Sequence, residues 1–188
     1  FRNYCRILTK DFDGDGIIDQ YGCTLKISAW KFENLLLQAG GEIMSEDYKT
    51  PLFNSEAGVM ALDFLTAIIN EDKTGYLSPG YEGQNDFLAS KVAMYEDSSV
   101  SLAYMRKTGI DFNLGVAAVP VQKTRRNIIA GTNVVIFKSG KSEVEKAAWQ
   151  FVKWFTEPDQ TAKWSELTYY MPVRRSAFQN EALQERLK

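Results

Sequence analysis

KVAMYEDSSVSLAYMRKTGIDFNLGVAAVP, residues 91–120, is the stretch on which the fold turns. A short apolar run, Val92 to Tyr95, breaks into the polar turn Glu96-Asp97-Ser98-Ser99. The spacing then predicts a short helix closing at Gly109, followed by Phe112 to Val119, whose residue types suit a buried strand. Strand, loop, helix and strand make a βαβ unit, and such units cross over right-handed in parallel sheets. Ligands in these sheets sit beyond the carboxyl ends of the strands, where loops run into helix N-termini. Tyr95 to Ser99 is therefore a candidate ligand-facing rim. The same residues also fit an ordinary N-capping turn, with Asp97 or Ser98 satisfying free N–H groups.

Upstream, Thr24 to Ile27 reads as a strand and Trp30 to Gln38 as a helix ended by Gly40-Gly41, which puts Trp30 at a strand–helix junction of the same kind. Ala57, Met60, Ala61, Phe64, Leu65 and Ile68 form one apolar stripe, so a helix is expected from Asn54 or Ser55 to about Asn70. A shorter one is expected from about Asn85 to Ser90. Residues 1–9 read as a helix with Tyr4, Ile7 and Leu8 on its apolar side. Downstream, Ile129 to Phe137 reads as a strand that carries the small trio Gly131-Thr132-Asn133. Ser142 and Glu145 match a capping box, and Val144, Ala147, Ala148, Phe151, Val152 and Phe155 give the helix behind it one apolar face. Pro158 opens another helix, and a polar helix is expected after Ser176. The alternation is α/β throughout.

The sharpest chemical signal lies at Asp11-Phe12-Asp13-Gly14-Asp15-Gly16-Ile17-Ile18-Asp19. Carboxylates at positions 1, 3, 5 and 9 with glycine at 6 match the start of a calcium loop, in which the Ile17 carbonyl would be the seventh-position ligand. At about 5 Å in water each carboxylate pair repels by roughly 0.8 kcal/mol, a cost that a hard dication removes. Position 12 is Gly22 and not the usual bidentate glutamate, so a calcium ion here would be structural and held weakly or with help from another ligand. A solvated turn is the alternative.

Composition bounds the rest. The 188 residues carry a formal charge of −2, which gives no electrostatic case for nucleic acid. Histidine is absent, removing the commonest general base and metal ligand. Four Trp, nine Tyr and eleven Phe supply both a core and ring-faced ligand sites. Lys123, Arg125 and Arg126 fit a solvated loop tip. Cys5 and Cys23 are the only thiols, and they could pair across a helix–strand contact or remain separate core residues. The chain starts at Phe1 within what reads as a helix, so a processed or cut fragment is expected.

Several pieces in fixed order resemble one family, the extracellular solute-binding proteins of bacterial ABC importers, in the sugar-binding branch that includes maltose-binding protein. They are LTKDFDGDGIIDQYG, FNSEAGVMALDFLTAIIN, ASKVAMYEDSSVS, FNLGVAAVP, AGTNVVIF, KSEVEKAAWQFVKWFTEPDQTAKW and YYMPVRRSAF, spread over nearly the whole chain. The resemblance implies a type II periplasmic-binding-protein-like lobe, a mixed sheet flanked by helices, within a two-lobed protein that closes on its ligand about a hinge. It implies delivery of a sugar or oligosaccharide to the membrane subunits of an ABC permease, with no chemistry on the solute and no organic cofactor. The protein would be extracellular or periplasmic, and membrane-anchored as a lipoprotein.

On the same resemblance this chain is the carboxy-terminal half of the whole. Residues 1–120 would form most of the C-terminal lobe, 121–170 would belong to the N-terminal lobe, and 171–188 would return. So divided, the chain would leave apolar surface uncovered, and a domain-swapped or non-physiological oligomer is expected. The ligand-facing residues implied are Trp30, Tyr95, Glu96, Asp97, Ser98, Ser99, Gly131, Thr132, Asn133, Tyr170 and Met171. Rings stack on the C–H face of a pyranose, and carboxylates or amides take paired hydrogen bonds from its hydroxyls. Two positions depart from the family: Ser90 stands where glycine is usual, and Val100 where the maltose-binding branch has a stacking tryptophan.

Two other readings compete. A glycoside hydrolase would draw its two acids from Glu82, Glu96 and Asp97, yet adjacent Glu96 and Asp97 point to opposite sides of an extended chain. A calcium-dependent docking module would rest on the Asp loop, but modules of the dockerin type carry two such loops and this chain has one.

Overall fold

The structure, a computed structural model, describes residues 1–186, and these form two compact units. The first comprises 1–96 with 112–129, and the second 97–111 with the described residues from 130 onward. This division follows compactness, and its boundaries differ from the lobe boundaries at 120 and 170 that the resemblance implies.

In the first unit a parallel sheet has the order β2-β1-β3, from β1 (Tyr21–Lys26), β2 (Gly75–Ser78) and β3 (Val92–Tyr95). β1 is central and closely packed on both faces, as the middle strand of a covered parallel sheet must be. On one face Cys23 and Leu25 join Cys5 of α1 (Arg2–Leu8) and Ile68 in the main core. On the other, Thr24 donates from its hydroxyl to Ser78 Oγ at 2.8 Å, against α4 (Glu82–Leu88), where Gly83 leaves room. α2 (Ala29–Gln38) is capped by Ser28, whose hydroxyl accepts from Lys31 N–H. α3 (Glu56–Thr66) is capped by Ser55 and continues as a π-helical turn over Ala67–Glu71. Ser90, where the resemblance implies glycine, takes φ 60°, in the left-handed region that glycine enters most easily.

α1 forms, but with a different buried side. Tyr4 and Ile7 are exposed, and Cys5 is the residue sealed against the sheet. The expected apolar side loses because α1 approaches β1 at Gly22 so closely that only the small Cys5 fits beneath it. At its outer end α1 is tied to the exit of the π turn. Asp72 accepts from Arg2 Nε at 2.6 Å and Nη2 at 2.7 Å, and from Arg6 Nη2 at 2.7 Å.

These bonds, from Arg2 first and then Arg6, hold the Asp72 carboxyl down to about 2 from its ordinary 3.8. A depressed carboxyl contributes stability that is fully present above the ordinary value and is lost as pH falls through the folded one. Wild type is thus expected to lose stability between pH 3.8 and about 2, and Asp72→Asn to remove that step. At neutral pH the variant should melt about 5 °C lower. Circular-dichroism melts across the acid range check this, and a variant with the wild-type acid profile would refute it.

The second unit is helical. It holds α5 (Ser101–Thr108), α6 (Ser142–Phe155), α7 (Pro158–Thr168), a 3-10 turn at Arg175–Gln179 and α8 (Glu181–Arg186). Pro158 opens α7 at the position where proline costs no hydrogen bond, and Tyr169 closes it in the left-handed region at φ 64°. Ala162, Ala177 and Leu183 form its small core. Ser142 is not the cap of α6. Glu145 reaches back instead to accept from the N–H groups of Ser139 and Gly140 at 2.8 and 3.1 Å. The apolar face of α6 forms as expected, but none of its residues is buried. Phe151, Trp154 and Phe155 cluster on one another, and Phe155 meets Trp164 of α7 edge-on at 5.5 Å.

Two expected strands are absent. Residues 112–119 and 129–137 have strand composition but make no ladder, and the three-stranded sheet is parallel throughout. A strand exists only through a neighbour that takes its backbone groups, and no described segment pairs with either. No helix among the described residues is long and apolar enough to cross a membrane.

Candidate functional site

Register decides what the first unit brings together. β1 and β3 are neighbours with Thr24 opposite Tyr95, so their carboxyl ends open side by side. The first turn of α2 follows one end and Glu96 follows the other. Lys31 and Glu96 close that gap as an ion pair, Nζ donating to Oε2. Lys31 is buried at 8 % exposure, and Glu96 supplies the opposite charge that a buried ammonium requires. Next to it in the same turn, Trp30 is 55 % exposed. An indole left half in water at the head of α2 is not a core residue, and its free face is open to a ligand. Tyr95 lies parallel to Phe87 with centroids 6.1 Å apart, which occupies one face of its ring. A concavity of about 130 Å³ beside the ion pair is lined by Phe1, Leu35, Phe64, Pro120, Lys31 and Glu96, among others; Trp30 is not among its lining residues.

Asp97, Ser98 and Ser99 belong to the second unit and are exposed. Asp97 Oδ1 accepts from Ser98 N–H at 2.8 Å. Ser99 Oγ donates to the Tyr169 carbonyl at 2.7 Å. At the following residue, a Cβ built at Gly131 would lie 3.7 Å from the Tyr170 ring. The left-handed Tyr169 thus gathers Ser99, Tyr170 and Gly131 in one place, with Arg106 5.4 Å above the Tyr169 ring. Thr132, Asn133 and Met171 are exposed.

Sequence reasoning missed Lys31 and Tyr169. Lys31 looked like any helix-surface lysine, and only its place opposite Glu96 distinguishes it. Tyr169 carried no local signal, since tyrosine seldom adopts the left-handed region.

The aspartate loop is built from short-range bonds. Asp11 accepts from Gly14 and Gly16 N–H at 2.7 and 2.9 Å, Asp13 from Asp15 N–H at 3.2 Å, and Asp15 from Ile17 N–H at 2.7 Å. Bonds from Gly16 first, then Gly14, hold the Asp11 carboxyl below its ordinary range. Oxygens of Asp11, Asp13 and Asp15 lie within 4.8 Å of one another. Asp19 is outside that group; its Oδ2 accepts from Phe12 N–H at 2.7 Å. Three hard oxygen donors in this arrangement suit calcium.

Residues 5–187 match the family described as bacterial extracellular solute-binding protein. Among curated relatives, the sn-glycerol-3-phosphate-binding periplasmic protein UgpB of Yersinia pestis is 25 % identical over 132 residues, which is 68 % of this chain and 30 % of that protein. UgpB of Escherichia coli K12 is 24 % identical over 131 residues, again 30 % of its length. The chain therefore spans about 30 % of the curated relatives it matches. Among solved structures, UgpB from Mycobacterium tuberculosis in complex with glycerophosphocholine aligns with TM-score 0.68 at 21 % identity, covering 90 % of this chain and 43 % of that one. The maltose/maltodextrin-binding domain MalE from Bdellovibrio bacteriovorus bound to maltotriose aligns with TM-score 0.67 at 18 % identity, covering 98 % and 49 %. At these identities the structures establish the fold, that of type II periplasmic binding proteins.

Proposed function

The chain belongs to the bacterial extracellular solute-binding protein family, and from that premise we propose that the whole protein is the solute-binding component of an ABC importer. It takes a sugar or oligosaccharide between two lobes and hands it to a membrane permease, with no bond made or broken. The family is extracellular, so the protein works in the periplasm or outside the cell; a lipid anchor would hold it there. The observation that most supports this ligand class is that a half-exposed Trp30 ring and the Lys31–Glu96 pair both stand at the carboxyl ends of β1 and β3. A stacking ring next to a fixed carboxylate is the chemistry a pyranose requires.

The hydrolase reading is disfavoured by the same pair. A glycosidase needs two carboxyls about 5–9 Å apart across the bond, and Glu96 is already engaged by Lys31. Calorimetry of the full-length protein against an oligosaccharide panel, with glycerol 3-phosphate included, tests the proposal. Binding of at least one sugar is expected, with no turnover of chromogenic glycosides. No heat with any sugar would end the carbohydrate reading, and glycoside turnover would replace it with an enzyme.

We also propose calcium as a structural ion at Asp11, Asp13 and Asp15, with the Ile17 carbonyl and Asp19 completing the set. Calcium in large excess over its dissociation constant should raise the melting temperature by about 5 °C relative to chelator. Asp13→Asn with Asp15→Asn should abolish the shift. Equal melts with calcium and with chelator would remove the ion from the account.

A further inference from the structure

Both thiols of this chain, free in this structure, lie in the core of the first unit. Cys5 of α1 is 0 % exposed and Cys23 of β1 is 1 % exposed, in one cluster with Leu25 and Ile68. Gly22 explains the approach. A Cβ built there would stand 2.5 Å from the Cα of Cys5, so the helix rests on the strand with nothing between them. Cys23 is the next residue, one step of about 3.8 Å along the backbone. That puts the pair in reach of the roughly 4.4–6.8 Å Cα spacing a disulfide uses. The two thiols are also close enough to perturb one another, in the direction that favours the Cys5 thiolate and disfavours that of Cys23.

We propose that Cys5 and Cys23 are joined by a disulfide in the exported protein. The proposal rests on the extracellular location that family membership gives, and not on the identity of the ligand. Oxidising compartments form and keep such bonds. The oxidant is a disulfide, either an oxidised dithiol protein or glutathione disulfide. The Cys5 thiolate attacks one of its sulfurs, its S–S bond breaks, and a mixed disulfide forms with release of one thiolate. Cys23 loses its proton and attacks the Cys5 sulfur, which expels the second thiolate. The two cysteine thiols are oxidised and one external disulfide is reduced to two thiols. Because both sulfurs are sealed once α1 lies on β1, the exchange belongs to folding, and the finished bond resists reductants until the unit opens. The closed ring spans residues 5–23 and carries the whole aspartate loop.

The test uses the full chain exported to an oxidising compartment, or refolded in a glutathione redox buffer, then denatured and alkylated without reductant. The expected result is no alkylated cysteine, an intact mass lower by two hydrogens, and a proteolytic peptide linking Cys5 to Cys23. Reduction in denaturant should restore both alkylation sites, and the refolded, reduced protein should melt roughly 6–12 °C lower. The double variant Cys5→Ala with Cys23→Ala should melt like the reduced form, with or without reductant. Alkylation of both cysteines in protein from the oxidising compartment, or bonds found only between chains, would overturn the proposal.

Discussion

Gly22→Ala is expected to lower the melting temperature by roughly 10 °C. Gly22 sits in the closely packed central strand, and a Cβ there would come within 2.2 Å of the Cys5 carbonyl oxygen and 2.6 Å of its carbonyl carbon. These are backbone atoms of a helix and cannot rotate away. Either α1 lifts from β1, opening the core around Cys5, Cys23, Leu25 and Ile68, or β1 shifts against both neighbours. Overpacking of this kind costs about 3 kcal/mol. Gly115→Ala is the control, since nothing lies within 4 Å of its added Cβ, and it should melt like wild type. A Gly22→Ala protein as stable as that control would mean that α1 does not rest on β1.

Trp30→Ala is expected to weaken sugar binding about 50-fold, equivalent to about 2.3 kcal/mol, with the melting temperature nearly unchanged. The ring is 55 % exposed and contributes little to the core, so its removal should be felt by the ligand and not by the fold. Truncating a stacked aromatic at the centre of a ligand contact costs about 2 kcal/mol or more. Trp30→Phe keeps a ring and should lose only about a tenth of that factor, roughly 5-fold. Calorimetry with the best sugar from the panel measures both. If Trp30→Ala binds as wild type does, the stacking surface lies elsewhere.

What could be read from the residues divides along a physical line. β1, α2, α3, β3, α6 and α7 were legible because apolar period, capping serines and glycine or proline stops act within one turn or strand. The aspartate loop was legible for the same reason, since its bonds from Gly14, Asp15, Gly16 and Ile17 span only two to five residues. Residues 112–119 and 129–137 were misread because strand composition reports burial, whereas a ladder needs a neighbour that local sequence does not name. The site was half legible. Trp30 and Glu96 each follow a strand, but that those strands are adjacent, with Lys31 between them, is a fact of register. Tyr169, which holds Ser99, was invisible because its importance lies in its backbone conformation.

The wide turn at Ala67–Glu71 sets the azimuth of everything after it. Asp72 N–H bonds to the Ala67 carbonyl five residues back, so this stretch holds one residue more than an ordinary helical turn would. Removing that residue would let the coil tighten and swing the following side chains by about 100°. Asp72 would then face away from Arg2 and Arg6, and Thr74 would no longer lead squarely into β2. The surplus residue works like a tooth in a gear: it consumes chain without lengthening the helix, and it times the arrival of the acid at the two arginines.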